Sequence, residues 1–136
     1  MISVEGLLLP NKPLTNFELL DAVKTLQIPR FRGVFMRDDL PTQARHEECG
    51  ILNLDNVSGK GTHWVCWYKR ARHKFYFDSF GVQPPEEVNK YLNSPLLYNT
   101  EQLQSYNQVI CGHLCLFVLR RLSNGENYQK VINELH

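Results

Sequence analysis

Long hydrophobic runs are missing from this chain. No stretch approaches the ~18 consecutive apolar residues that a membrane-spanning helix needs, so no such span is expected. A charge imbalance is missing too. Fifteen basic and 14 acidic residues leave a net charge of +1, which excludes strong chain-wide attraction to nucleic acid. Cysteines are few. The four, at positions 49, 66, 111 and 115, fit no common zinc spacing, and no metal site is expected. Cys111 and Cys115 would sit one turn apart on one helix, a poor geometry for a disulfide. The opening residues, MISVEGLLLPNKPL, include an acid and only a short apolar run, so they do not read as a signal peptide. Reduced thiols in an intracellular compartment are the expectation. Repeats and low-complexity segments are also absent.

What is present suits one domain over residues 1–136. Apolar residues make up 43% of the chain and charged residues 21%, enough for a core in a domain of this size. Thr15 and Glu18 form a capping-box pattern ahead of a helix, TNFELLDAVKTLQ, ended by Pro29. Its expected apolar face is Phe17, Leu20, Val23, Lys24 and Leu26. RFRGVFMRDDLP reads as an extended segment and a turn. GILNLD (50–55), HWVCWYK (63–69) and KFYFDS (74–79) read as strands, the last two joined across RARH, and NVSGKG as a loop. PPEEVNKYL (84–92) opens like a helix, LLYNTEQLQSYN is irregular or extended, and a strong helix runs from about Cys111 to Leu122. NYQKVINELH forms a last short helix. The pattern predicts an α+β fold: a small mixed or antiparallel central sheet flanked by helices.

If the hairpin turn is centred between Arg70 and Ala71, paired residue numbers sum to 141. His63 then lies directly opposite Asp78 on the same face. A carboxylate there would hold one ring nitrogen and favour the imidazolium. The inert reading is a solvent-facing ion pair at a sheet edge.

Cys111 would open the last long helix. The positive end of a helix and a neighbouring imidazolium both stabilise a thiolate, the reactive form of cysteine. Gly112 would let a substrate carbonyl approach the backbone. These are the needs of a Cys–His nucleophilic site with Asp78 orienting His63. An oxyanion donor would come from the Cys111 backbone N–H and from one of Gln102, Gln104, Asn107 or Gln108, among which spacing does not choose. The competing reading of Cys111 is a core thiol. Cys115 and Cys66 are assigned to the core, and Cys49 is left open. His113 is expected to face solvent, and His46, His73 and His136 carry no assigned role.

Together, GTHW (61–64), FDSFG (77–81) and QSYNQVICG (104–112) resemble the adenovirus protease (adenain) and its wider relatives, the SUMO and other ubiquitin-like-protein proteases. FRGVFMRDDLP is similar to an upstream segment of adenain-like proteins of viruses and virus-derived mobile elements. The resemblance implies a cysteine protease in which Cys111 is the nucleophile, His63 the base, Asp78 the orienting acid and Gln104 the oxyanion donor. It implies that Trp64 and Gly112 line a narrow substrate groove that takes glycine-type residues beside the cut. It places activity in the maturation of viral or element-encoded precursors, in a host nucleus, cytoplasm or virion; removal of ubiquitin-like modifiers and an inert peptide-binding module are the alternatives. The chemistry requires no cofactor. An activating peptide or DNA enters by resemblance only, and residues 79–103 contain no cysteine for the disulfide that joins adenain to its peptide. A basic stretch, YKRARHK, offers Lys69, Arg70, Arg72 and Lys74 for weak nucleic-acid contact, against the plainer reading of a solvated hairpin tip.

Overall fold

In a computed structural model of the chain, the described residues are 1–55, 63–93, 95–105 and 108–136. The whole NVSGKG loop, whose Gly61 also opens the GTHW motif, lies outside them with Thr62 and with Tyr106 and Asn107 of QSYNQVICG.

The chain begins with a hairpin of β1 (Ile2–Val4) and β2 (Leu7–Leu9), which the sequence reading did not contain. Its turn puts Glu5 at φ 47° and Gly6 at φ 88°. Such turns usually announce themselves with Asn-Gly or Asp-Gly, and Glu-Gly does not.

Helix α1 (Asn16–Leu26) follows. Thr15 accepts the Glu18 backbone N–H at 3.1 Å, and the Glu18 carboxylate accepts the Thr15 N–H at 2.9 Å. The expected capping box is therefore formed. The expected face is formed only in part. Val23 and Leu26 are buried as expected, with Leu19 and Ala22 beside them, whereas Phe17 is 75% exposed and Leu20 lies open as well. Two apolar stripes compete on this helix, and the one at 19, 22, 23 and 26 wins because it meets the sheet and the long helix behind it.

Among the described residues a five-stranded sheet runs in the order β3 (Phe31–Met36), β4 (Glu47–Asn53), β5 (Trp64–Arg70), β6 (His73–Phe77), β7 (Leu97–Tyr98). The inner pairs are antiparallel and the two outer pairs parallel, so the sheet is mixed. Its central strand, β5, is apolar on both sides, and the pleat sends alternate residues to opposite faces. Trp64 and Cys66 join the core that contains α1, α3 (Cys111–Ser123) and α4 (Tyr128–Asn133). Val65 and Trp67 join a second, smaller core under α2 (Glu86–Leu92).

The β5–β6 register differs from expectation. Paired numbers sum to 143, from Cys66↔Phe77 to Arg70↔His73, so the turn is Ala71–Arg72, with Ala71 at φ 55°. The shift is two residues. An even slip leaves every side chain on its face, whereas a slip of one would have sent Asp78 to the opposite side from His63. His63 and Asp78 are therefore diagonal neighbours beyond the last regular pair.

Helix α3 buries Cys111, Gly112, Cys115, Leu116, Val118, Leu119 and Leu122, a helical stripe that packs on β5, α1 and α4. Arg120 and Arg121 in its last turn oppose the negative end of its dipole. His113 is not at the surface. It is buried, and its Nε2 donates to the Pro10 carbonyl at 2.9 Å. The N-terminal hairpin covers that side of α3, so missing the hairpin meant missing the burial.

Candidate active site

His63 stands immediately before β5. The ring is nearly sealed from water and stacks on Phe80, with centroids 4.0 Å apart and planes 5° from parallel. Its Nε2 donates to Asp78 Oδ1 at 2.6 Å. The Cys111 thiol lies close enough to the ring to help raise its pKa.

Asp78 closes β6 and is 1% exposed. Oδ1 accepts the Phe80 N–H at 2.8 Å as well as the imidazole. Its backbone is held from both sides by one side chain. Asn99 Oδ1 accepts the Asp78 N–H at 3.1 Å, and Asn99 Nδ2 donates to the Asp78 carbonyl at 2.7 Å. The turn that follows needs Gly81. It has φ +74°, and a Cβ there would meet the Glu101 backbone at 2.7 Å.

Cys111 is the first residue of α3 and is 8% exposed, the most open of the four thiols. Its Sγ accepts the Trp64 N–H at 3.5 Å. Ile110, ahead of it, offers no side-chain cap, so the first-turn N–H groups remain available to an anion. Burial pushes the thiol pKa up. The His63 hydrogen bond, the Trp64 N–H, the imidazolium charge and the Gly112 N–H together outweigh burial and bring it below its ordinary value. Burial likewise opposes charge on His63. The hydrogen bonds to Asp78 and Cys111, with their charges, outweigh it and push His63 up to about 9. The two shifts describe one thiolate–imidazolium pair. The other cysteines contrast with it. Cys115 is fully buried and pushed well up, burial raises Cys49 too, and Cys66 is packed inside β5.

The described amides ahead of Cys111 differ sharply. Gln102 and Gln108 are exposed, while Gln104 is buried. Gln104 Oε1 accepts the Ser79 hydroxyl at 2.6 Å, and its Nε2 donates to the Gln108 carbonyl at 3.0 Å.

Trp64 is fixed by its indole N–H, which donates to the Leu14 carbonyl at 2.8 Å. It forms one end of a groove of about 510 Å³, bounded by the segment Pro13–Asn16 and by Val34, Phe35, Met36 and Asp39. Gly112 has a packing reason to be glycine. A Cβ there would press on Leu19, Trp64 and Leu14 at 3.3–3.4 Å. Close approach of the helix to the sheet, more than access for a carbonyl, accounts for it.

The basic hairpin tip is largely occupied. Lys69 donates to the Arg45 and His46 carbonyls, Arg70 pairs with Glu47, and Lys74 donates to the Asn93 carbonyl. Among the described residues no group of His, Cys, Asp and Glu could hold a metal ion, and no helix is long and apolar enough to cross a membrane.

Sequence reasoning missed three residues of this cluster. Ser79 and Phe80 lay within the quoted FDSFG motif without a role. Asn99 carried no local signal, because its partner is 21 residues away.

The mixed sheet, with α3 on one face, gives the chain an α+β fold that it shares with solved protease structures. The particular neighbours are two crystal structures of the ASFV pS273R protease, one of them of the Se-Met protein. The first aligns at a TM-score of 0.59 and 19% identity, the second at 0.61 and 18%. Each alignment covers 90% of this chain and 62% of the neighbour, so the chain spans less than two thirds of the neighbour's length. No protein-family model and no curated protein matches the chain.

Proposed function

We propose that the chain is a cysteine endopeptidase. The observation that carries the reading is the buried 2.6 Å bond between Asp78 and His63, set beside a thiol of lowered pKa, Cys111, at a helix tip. The fold neighbours, which are proteases, support it.

Cys111 Sγ attacks the scissile carbonyl as the thiolate. The developing oxyanion is held by the Cys111 backbone N–H and by Gln104 Nε2. His63, already protonated, gives its proton to the leaving amine, and a thioester remains. Neutral His63 then takes a proton from water, whose oxygen attacks the thioester. The acid product leaves, and Cys111 departs as the thiolate. Asp78 keeps the ring in place and favours its cationic form.

The substrate is an extended peptide laid along the groove beside Trp64. Glycine-type residues next to the cut fit the narrow passage, and viral or element-encoded precursors are the substrates the resemblance favours. The work would be done inside a cell or virion, where thiols stay reduced. The occupied cations of the hairpin tip give nucleic-acid contact little support.

The test combines iodoacetamide labelling at neutral pH with glycine-containing precursor peptides and with ubiquitin and SUMO vinyl-sulfone probes. We expect Cys111 to label far faster than Cys49, Cys66 and Cys115, His63→Ala to abolish the difference, and peptides to be cut. Rapid capture by a modifier probe without peptide cleavage would shift the substrate to conjugated modifiers. A Cys111 no faster than a free thiol, with no cleavage, would leave an inert module.

A further inference from the structure

We propose that Ser79 is a positioning residue that fixes which end of the Gln104 amide is offered to the oxyanion. This rests on the reading of Gln104 as an oxyanion donor. The two ends of a glutamine amide are nearly the same size, and only the nitrogen end donates. An amide turned over would present a carbonyl oxygen to a developing negative charge and repel it.

Two contacts prevent the turn. The Ser79 hydroxyl donates to Gln104 Oε1 at 2.6 Å, and Gln104 Nε2 donates to the Gln108 carbonyl at 3.0 Å. A carbonyl only accepts, so the nitrogen must be the end that faces Gln108. Turning the amide would set two acceptors against each other there. The Gln108 contact uses one of the two amide hydrogens and leaves the second for a substrate oxygen.

Ser79 is itself immobilised. It is fully buried, and its carbonyl accepts the backbone N–H groups of Leu103 at 2.7 Å and Gln104 at 3.2 Å. The residue that orients the Gln104 side chain thus also anchors the Gln104 backbone. It directly follows Asp78, whose backbone Asn99 clamps. One short segment therefore sets both the acid that holds His63 and the amide that meets the oxyanion.

The experiment uses the full chain with a cleaved glycine-containing peptide, and a peptide aldehyde of the same sequence whose hemithioacetal oxygen imitates the oxyanion. Ser79→Ala, Gln104→Met and the double variant are compared. We expect Ser79→Ala to lower kcat about 10- to 100-fold with KM unchanged. Aldehyde affinity should fall in parallel, while the pH profile of Cys111 alkylation stays that of the wild type. In the Gln104→Met background, Ser79→Ala should change kcat less than twofold, because its effect passes through the amide. Ser79→Cys, nearly the same shape with a weak donor, should fall between, and it carries the test if Ser79→Ala does not fold. Full kcat in Ser79→Ala while Gln104→Met is crippled would overturn the proposal alone. An equal Ser79→Ala loss with and without the amide would do the same. An unimpaired Gln104→Met would overturn the donor reading and this proposal together. If no peptide is cut, the aldehyde decides: equal affinity for wild type and Ser79→Ala overturns the proposal.

Discussion

Asp78 and Glu48 are both carboxylates sealed from water, at 1% and 2% exposure, and they are surrounded differently. Glu48, on β4, is saturated. Oε1 accepts from Arg32 Nη1 at 3.1 Å and the Arg45 backbone N–H at 2.7 Å, and Oε2 from the Trp67 indole at 2.8 Å and the Tyr91 hydroxyl at 2.7 Å. Four donors from β3, the following loop, β5 and α2 close the network around it. Asp78 is only half engaged. Oδ1 holds the imidazole and the Phe80 N–H, while Oδ2 is buried without a partner among the described residues. Glu48 meets a guanidinium, which never gives up its proton. Asp78 meets an imidazole, which does. A saturated buried carboxylate fastens elements together; a half-engaged one beside a titratable partner can follow a moving proton. The comparison predicts that loss of Glu48 costs stability and loss of the Asp78 system costs chemistry.

The largest effect expected is on the chemical side. His63→Ala removes the proton donor and the cation that holds the thiolate. Peptide cleavage should fall about 10³–10⁴-fold, with the urea midpoint changed far less. Initial rates and unfolding curves on the same preparation check this. Collapse of the fold with loss of activity would erase the distinction between the two carboxylates.

Next comes Glu48→Ala. It strands the Arg32 guanidinium, whose side chain is 17% exposed, together with the Trp67 and Tyr91 donors. Removing one partner of a buried charged network costs about 3–5 kcal/mol. Urea unfolding measures that loss. In the fraction still folded, the alkylation rate of Cys111 should match the wild type.

Asn99→Ala tests whether Asp78 works only when clamped. It leaves the Asp78 N–H unpaired and the Asp78 carbonyl with only the Gly81 N–H, at about 1–3 kcal/mol of stability. A loosened Asp78 supports the imidazolium less well. The alkaline limb of the activity profile, set by His63 near pH 9, should then move to lower pH. An unmoved limb would make Asn99 structural alone.

Much of this arrangement was readable beforehand, and the failures share a cause. The α1 cap was legible because Thr15 and Glu18 are three residues apart. His63 and Asp78 were paired by hairpin spacing, Cys111 by its place at a helix start, and Gln104 only by resemblance; the structure bonds His63 to Asp78 and sets Cys111 beside the ring. The hairpin register was misplaced by two because ARHK offers no Asn or Gly to fix the turn at Ala71–Arg72. Phe17 was assigned to the core from local periodicity, and only the position of the sheet decides against it. His113, Ser79, Asn99 and the Glu48 network depend on contacts between distant segments. Periodicity sees one segment at a time, so none of these partners was visible to it.

The smallest effect expected is in the pH dependence of stability, where the catalytic pair should nearly hide itself. His63 is raised from the ordinary 6.5 to about 9, so its contribution is complete below pH 6.5 and is lost as pH rises through 9. Cys111 is lowered from the ordinary 9.0, so its contribution is complete above that value and is lost as pH falls through the lowered one. As pH falls from 9, and until either state takes up a second proton, the unfolded pair carries one proton, on sulfur, and the folded pair also carries one, on the ring. Equal proton counts mean no slope. The stability difference between wild type and the double variant His63→Phe/Cys111→Ala isolates the pair, because the other titrating groups are common to both. It should stay level as pH falls from 9, until either the unfolded imidazole or the folded thiolate takes up a second proton. A slope just below pH 9 would mean that sulfur and ring do not share one proton, and the imidazolium would then be held by Asp78 alone.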